Sequence, residues 1–75
     1  MTQLEVAYRY HKPVREATMR ALDTLRDVYG IRRITFKEAE LIIYVEFDAS
    51  RLKEPLIANL LRRTGLDLGE QLLLA

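Results

Sequence analysis

The sequence has no cysteine, which excludes a disulfide framework, a zinc knuckle, a redox pair and a thiol nucleophile. It has little excess charge. Twelve Lys and Arg against eleven Asp and Glu leave a formal net charge of +1, too small for bulk electrostatics to hold nucleic acid or anionic lipid. Any such contact has to be a local patch. The longest uninterrupted apolar run is Leu41 to Val45, well short of the roughly 20 residues that span a bilayer. No apolar leader follows the first methionine, so the expectation is a soluble, cytoplasmic chain without membrane insertion. Glycines are scarce and dispersed, at Gly30, Gly65 and Gly69, so no glycine-rich phosphate cradle can be read from them. Linkers, low-complexity tracts and internal repeats are missing as well. What remains is a 75-residue chain that is 49% apolar, the material for one domain over residues 1–75 with few side chains left over for a deep pocket.

The apolar positions change period along the chain. Leu4, Val6, Tyr8 and Tyr10 alternate with Glu5, Ala7 and Arg9, the two-residue period of a half-buried strand. After His11-Lys12-Pro13 the spacing becomes helical: Val14, Ala17, Thr18, Ala21, Leu22, Leu25, Val28 and Tyr29 recur at three- and four-residue steps. This predicts an amphipathic helix with Pro13 near its first turn and Gly30 as its stop. Ile31, Ile34 and Phe36 then lead through a polar four-residue turn, Lys37 to Glu40, into Leu41, Ile43, Val45 and Phe47, which reads as a hairpin. Asp48-Ala49-Ser50 ends that run. A second helix is expected from near Lys53 or Glu54, with Pro55 in its first turn, to Gly65. Leu66, Leu68, Leu72 and Leu74 alternate in the tail, consistent with a weaker last strand starting near Glu70.

The predicted order is strand, helix, strand, strand, helix, strand. This is the split βαβ arrangement, an α+β ferredoxin-like two-layer sandwich with a four-stranded antiparallel sheet and both helices on one face. The expected core joins Leu4, Val6, Ile34, Phe36, Ile43, Val45 and Phe47 of the sheet to Ala21, Leu22, Leu25, Ile57, Leu60 and Leu61 of the helices.

Several short motifs fall at spacings that resemble the heavy-metal-associated domains of soluble copper chaperones and P-type metal ATPases. Leu4-Glu5-Val6 is similar to that family's first strand, and Ala21-Leu22 to the pair in its first helix. Gly30-Ile31 resembles the Gly-Val before its second strand, Val45-Glu46-Phe47-Asp48 the end of its third, and Gly65-Leu66 the Gly-Tyr after its second helix. The family carries metal on a Gly-Met-x-Cys-x-x-Cys loop after the first strand. In an ungapped alignment Tyr8-Arg9 stand for Gly-Met, and His11 and Val14 for the two cysteines. Valine has no lone pair to offer a soft ion. The resemblance therefore implies the scaffold without its thiolate site: a protein-interaction or regulatory module without a cofactor, beside or fused to a P-type metal-transporting ATPase. The alternative is a metal carrier or sensor in which His11, the sole histidine, recruits Glu16 or ligands from a second copy.

Catalytic signals are thin. Ser50 reads as a turn residue, the carboxylates Glu38, Glu40, Glu46 and Asp48 read as solvated, and nothing composes a triad; no enzyme is expected. The sheet face opposite the helices would carry Glu5, Ala7 and Arg9 beside Ile42, Tyr44 and Glu46. Only Tyr44 could stack on a base, and Glu5 and Glu46 oppose the positive charge of Arg32, Arg33 and Lys37, which argues against nucleic acid. An aromatic anchor with aliphatic area and a charged rim suits a protein contact better. The candidate protein-binding residues are Arg9, Arg33, Ile42, Tyr44 and Glu46. Their partner is another protein, the remainder of a larger transporter, or a second copy in a homodimer.

Overall fold

Four strands and two helices follow one another as β1 (Gln3–Tyr10), α1 (Glu16–Leu25), β2 (Ile31–Lys37), β3 (Ile42–Asp48), α2 (Glu54–Arg63) and β4 (Leu68–Leu72). The computed structural model describes residues 3–72. The strands form one antiparallel sheet in the order β2-β3-β1-β4, giving an α+β ferredoxin-like fold. The two central strands, β1 and β3, run in unbroken register from Gln3 opposite Asp48 to Arg9 opposite Ile42.

Alternation decides which side chains meet the helices. Val6, Tyr8 and Tyr10 of β1, Ile34 of β2 and Ile43, Val45 and Phe47 of β3 are buried in one cluster with Leu22 of α1 and Ile57, Ala58 and Leu61 of α2. Tyr10 and Phe36 meet edge to face at 6.2 Å between centroids, an arrangement that adds to the area they bury. Val14, Leu25, Phe36 and Leu41 close the cluster's rim.

The structure departs from the sequence pattern at four places. First, α1 ends at Leu25, not near Gly30. The next amides, of Arg26, Asp27 and Val28, bond back three residues to Asp23, Thr24 and Leu25 at 2.9–3.2 Å. Those tighter turns shift the apolar spacing and bring the chain to Gly30, whose φ of +103° suits glycine. At the other end Pro13 lies before α1, which has Arg15, an extended residue, as its N-cap. Second, Leu41 belongs to the hairpin turn. A single 3-10 turn at Glu38–Glu40 precedes it, and its φ of 55° is left-handed. Such a backbone costs a leucine about 1–2 kcal/mol. The Leu41 amide donates to Glu38 and its carbonyl accepts from Tyr10, while its side chain reaches the core. Third, Leu4 is 50% exposed, since it lies at the open end of the sheet above a shallow depression floored by Val6, Phe47 and Leu52.

The fourth departure concerns β4. It begins at Leu68, not Glu70, and its leucines do not share a face. Ala7 pairs with Leu72 and Tyr8 with Gln71, but Tyr10 pairs with Leu68. Two residues, Gly69 and Glu70, therefore stand opposite Arg9, which is a β-bulge. The extra residue reverses the alternation, so Leu68 sits on the helix side with Tyr10 and Leu72 on the opposite side with Ala7. Leu74 lies outside the described residues.

Candidate functional site

The face of the sheet away from the helices is a grid set by strand register. Its middle row runs Thr35, Tyr44, Ala7, Leu72 across β2, β3, β1 and β4. One end carries Arg33, Glu46 and Glu5. The other carries Lys37, Ile42 and Arg9, with Glu70 3.7 Å from the Arg9 guanidinium. All five residues singled out from sequence, Arg9, Arg33, Ile42, Tyr44 and Glu46, thus share one surface.

Burial within this face is achieved without a helix. Ala7 is fully buried and Ile42 only 9% exposed, although both lie on the face away from the helices. The Lys37 ammonium lies 5.5 Å from the centre of the Tyr44 ring, within reach of a cation–π attraction. Gln3 donates to the Glu46 carboxylate at 3.2 Å. The result is an apolar strip, Tyr44, Ala7 and Leu72, with Ile42 beside it. Acidic groups dominate the central strands at one end, and basic Arg9 stands at the other. Leu72 was not legible as part of this face from the sequence, where it only alternated with Leu68 in a weaker last strand. Lys37 was legible as an edge-strand cation but not as a neighbour of the Tyr44 ring.

The connection after β1 holds the positions where the resemblance would place metal ligands. The His11 amide donates to the Asp67 carbonyl at 3.1 Å, which ties this loop to the one after α2. Its imidazole rests on Gly69: a Cβ there would lie 2.5 Å from His11 Nε2 and 2.9 Å from the Arg9 carbonyl oxygen. Val14, at the second cysteine position, packs against the core. Among the described residues no three His, Cys, Asp or Glu side chains gather where one ion could join them.

Two further polar arrangements are structural. The Tyr8 hydroxyl, under α2, donates to Glu54 Oε2 at 2.7 Å. Burial, with the carboxylate beside it, raises the tyrosine pKa far above its ordinary value. Asp48 closes β3 by accepting from the Ser50 amide at 3.0 Å and the Ser50 hydroxyl at 2.6 Å. Those two bonds hold its carboxyl below the usual carboxylate range, and they give Ser50 the turn role expected of it. Among the described residues no helix is long and apolar enough to cross a membrane. Comparison with family models, with curated protein sequences and with solved structures finds no match to this chain.

Proposed function

We propose that the chain is a binding module, not an enzyme, and that its working surface is the outer sheet face, where it pairs with a second copy of itself. The supporting observation is the polarity of that face. On β1, Glu5 and Arg9 stand two places either side of Ala7, flanking the apolar strip on opposite sides. A two-fold axis along the strip sets Tyr44 and Leu72 against their equivalents and brings each Glu5 opposite the partner's Arg9. Tyr44 is the central anchor, Ile42 adds aliphatic area, and Arg33 and Glu46 belong to the rim. The resemblance to heavy-metal-associated domains adds a setting, a scaffold without thiolates acting beside or within a metal-transporting P-type ATPase.

Sedimentation equilibrium tests the pairing. Wild type is expected to show a concentration-dependent dimer. Glu5→Arg and Arg9→Glu each remove it, because each makes the two positions alike in charge. An equimolar mixture of the two variants restores it, since one copy is then basic and the other acidic. Wild type that stays monomeric at millimolar concentration, or variants that do not complement, would refute the pairing.

A further inference from the structure

The loop after β1 and the loop after α2 enclose an open cavity of about 400 Å³ that the outer face does not touch. Its lining is cationic. Lys12, Arg15 and Arg62 border it against a single carboxylate, Asp67, so three positive charges less one negative leave an excess of two. Four arginines elsewhere, Arg9, Arg20, Arg26 and Arg51, each lie near an acidic side chain, whereas Arg33 and Arg63 at the surface do not. The three at the cavity form no ion pair among the described residues.

The cavity also faces the first turn of α1, whose leading amides have no acceptor within the helix. Arg15, the N-cap, supplies no side-chain cap. Glu16, the one acidic residue of that turn, is drawn away by Arg20 at 2.6 Å. A bare helix end is common, but a second observation points to a ligand here. Thr18 is only 6% exposed, lines the cavity, and its hydroxyl has no hydrogen-bond partner among the described residues. The hydroxyl is turned toward Gly65, across the same cavity: a Cβ on Gly65 would lie 3.0 Å from Thr18 Oγ1. No buried side-chain N or O among the described residues lacks a partner, so the Thr18 oxygen is not sealed off from the cavity and its hydroxyl is available to donate to a guest. Gly65, with φ of +93°, leaves that space open. One glycine, brought beside the helix end by the fold, thus does what the dispersed glycines of the sequence seemed unable to do.

We propose that this cavity binds a phosphate group. A tetrahedral dianion matches the excess of two charges, the forked donors of Arg15 and Arg62, the Lys12 ammonium, the Thr18 hydroxyl and the free amides of the α1 first turn. The space exceeds a phosphate, so a monoester with a small organic group fits.

Amide-shift titration of the full chain tests this, with inorganic phosphate and phenyl phosphate as probes and chloride at matched ionic strength as reference. Saturable shifts at Glu16, Ala17, Thr18 and Gly65 are expected with the phosphates. Thr18→Val should weaken binding about tenfold, and Thr18→Ser should restore it. A Lys12→Gln, Arg62→Gln double variant, altered only at exposed positions, should weaken binding at least as much with the fold unchanged. Equal affinity for both probes assigns the site to the phosphate group alone, and tighter phenyl phosphate assigns it to a monoester. Shifts that remain linear, that chloride reproduces, or that the double variant leaves unchanged would overturn the proposal.

Discussion

The two faces of the central strands are built from alternate residues of the same seven β1–β3 pairs, yet only one face lies beneath the helices. On the helix side, Tyr8, Tyr10, Ile43, Val45 and Phe47 are at most 3% exposed beneath Leu22, Ile57 and Leu61. On the other side, Ala7 and Ile42 are buried with no helix packed on that face, and the ammonium of Lys37 approaches the ring of Tyr44. The first kind of burial depends on the tertiary fold. The second depends on strand pairing and leaves its face open to a partner. Stability should therefore concentrate on one face and association on the other.

The most severe break in that contrast is Phe47→Ala. Removing a 2%-exposed ring should cost about 3–5 kcal/mol, comparable to the entire stability of a domain this small, and urea denaturation is expected to find the variant largely unfolded. Tyr8→Phe probes the polar part of the same face. It leaves the Glu54 carboxylate without its donor and should cost about 1–3 kcal/mol at neutral pH by the same measurement. Because the folded-state pKa of Tyr8 is raised, its contribution is complete below the ordinary tyrosine value of about 10 and fades as the pH climbs toward the folded one. Tyr8→Phe should accordingly flatten the alkaline limb of the stability profile.

Asp48→Asn acts at the opposite end of the pH scale. The folded pKa is depressed, so the stabilisation is present above about pH 4 and disappears as the pH falls through the folded value. The variant should lower the thermal midpoint at neutral pH and lose the acid-side slope. Tyr44→Ser, on the outer face, should change stability by less than about 1 kcal/mol while abolishing the proposed dimer in a sedimentation experiment. The smallest effect is expected at the β1–α1 loop. Titration with Zn(II), Ni(II) or Cu(I) should give no saturable amide shift at His11, and a saturable one at micromolar metal would revive the carrier reading.

Element order and the inner face were legible because strong periodicity reports burial directly: alternation in β1 and β3, and helical spacing at Ile57 and Leu61. The residues of the outer face were legible from the same alternation. Three things were not. The end of α1 was hidden because Val28 and Tyr29 keep a helical spacing while the backbone bonds have already shortened to three residues. The left-handed turn at Leu41 was hidden because leucine carries no sign of a conformation usually reserved for glycine or asparagine. The cavity was hidden because Thr18 and Gly65 lie 47 positions apart in sequence, and only the packing of α1 beside the end of α2 makes them neighbours.

The irregularity in β4 has a consequence for how this chain can vary. Since Gly69 and Glu70 share one partner, Leu68 and Leu72 answer to separate demands although both read as the same leucine pattern. A saturation scan scored by folding should reject Asn or Ser at 68 and accept them at 72, whereas one scored by assembly should reject both. Drift at the two sites is uncoupled, so the outward leucine can be retuned to a new associate while the inward one stays fixed.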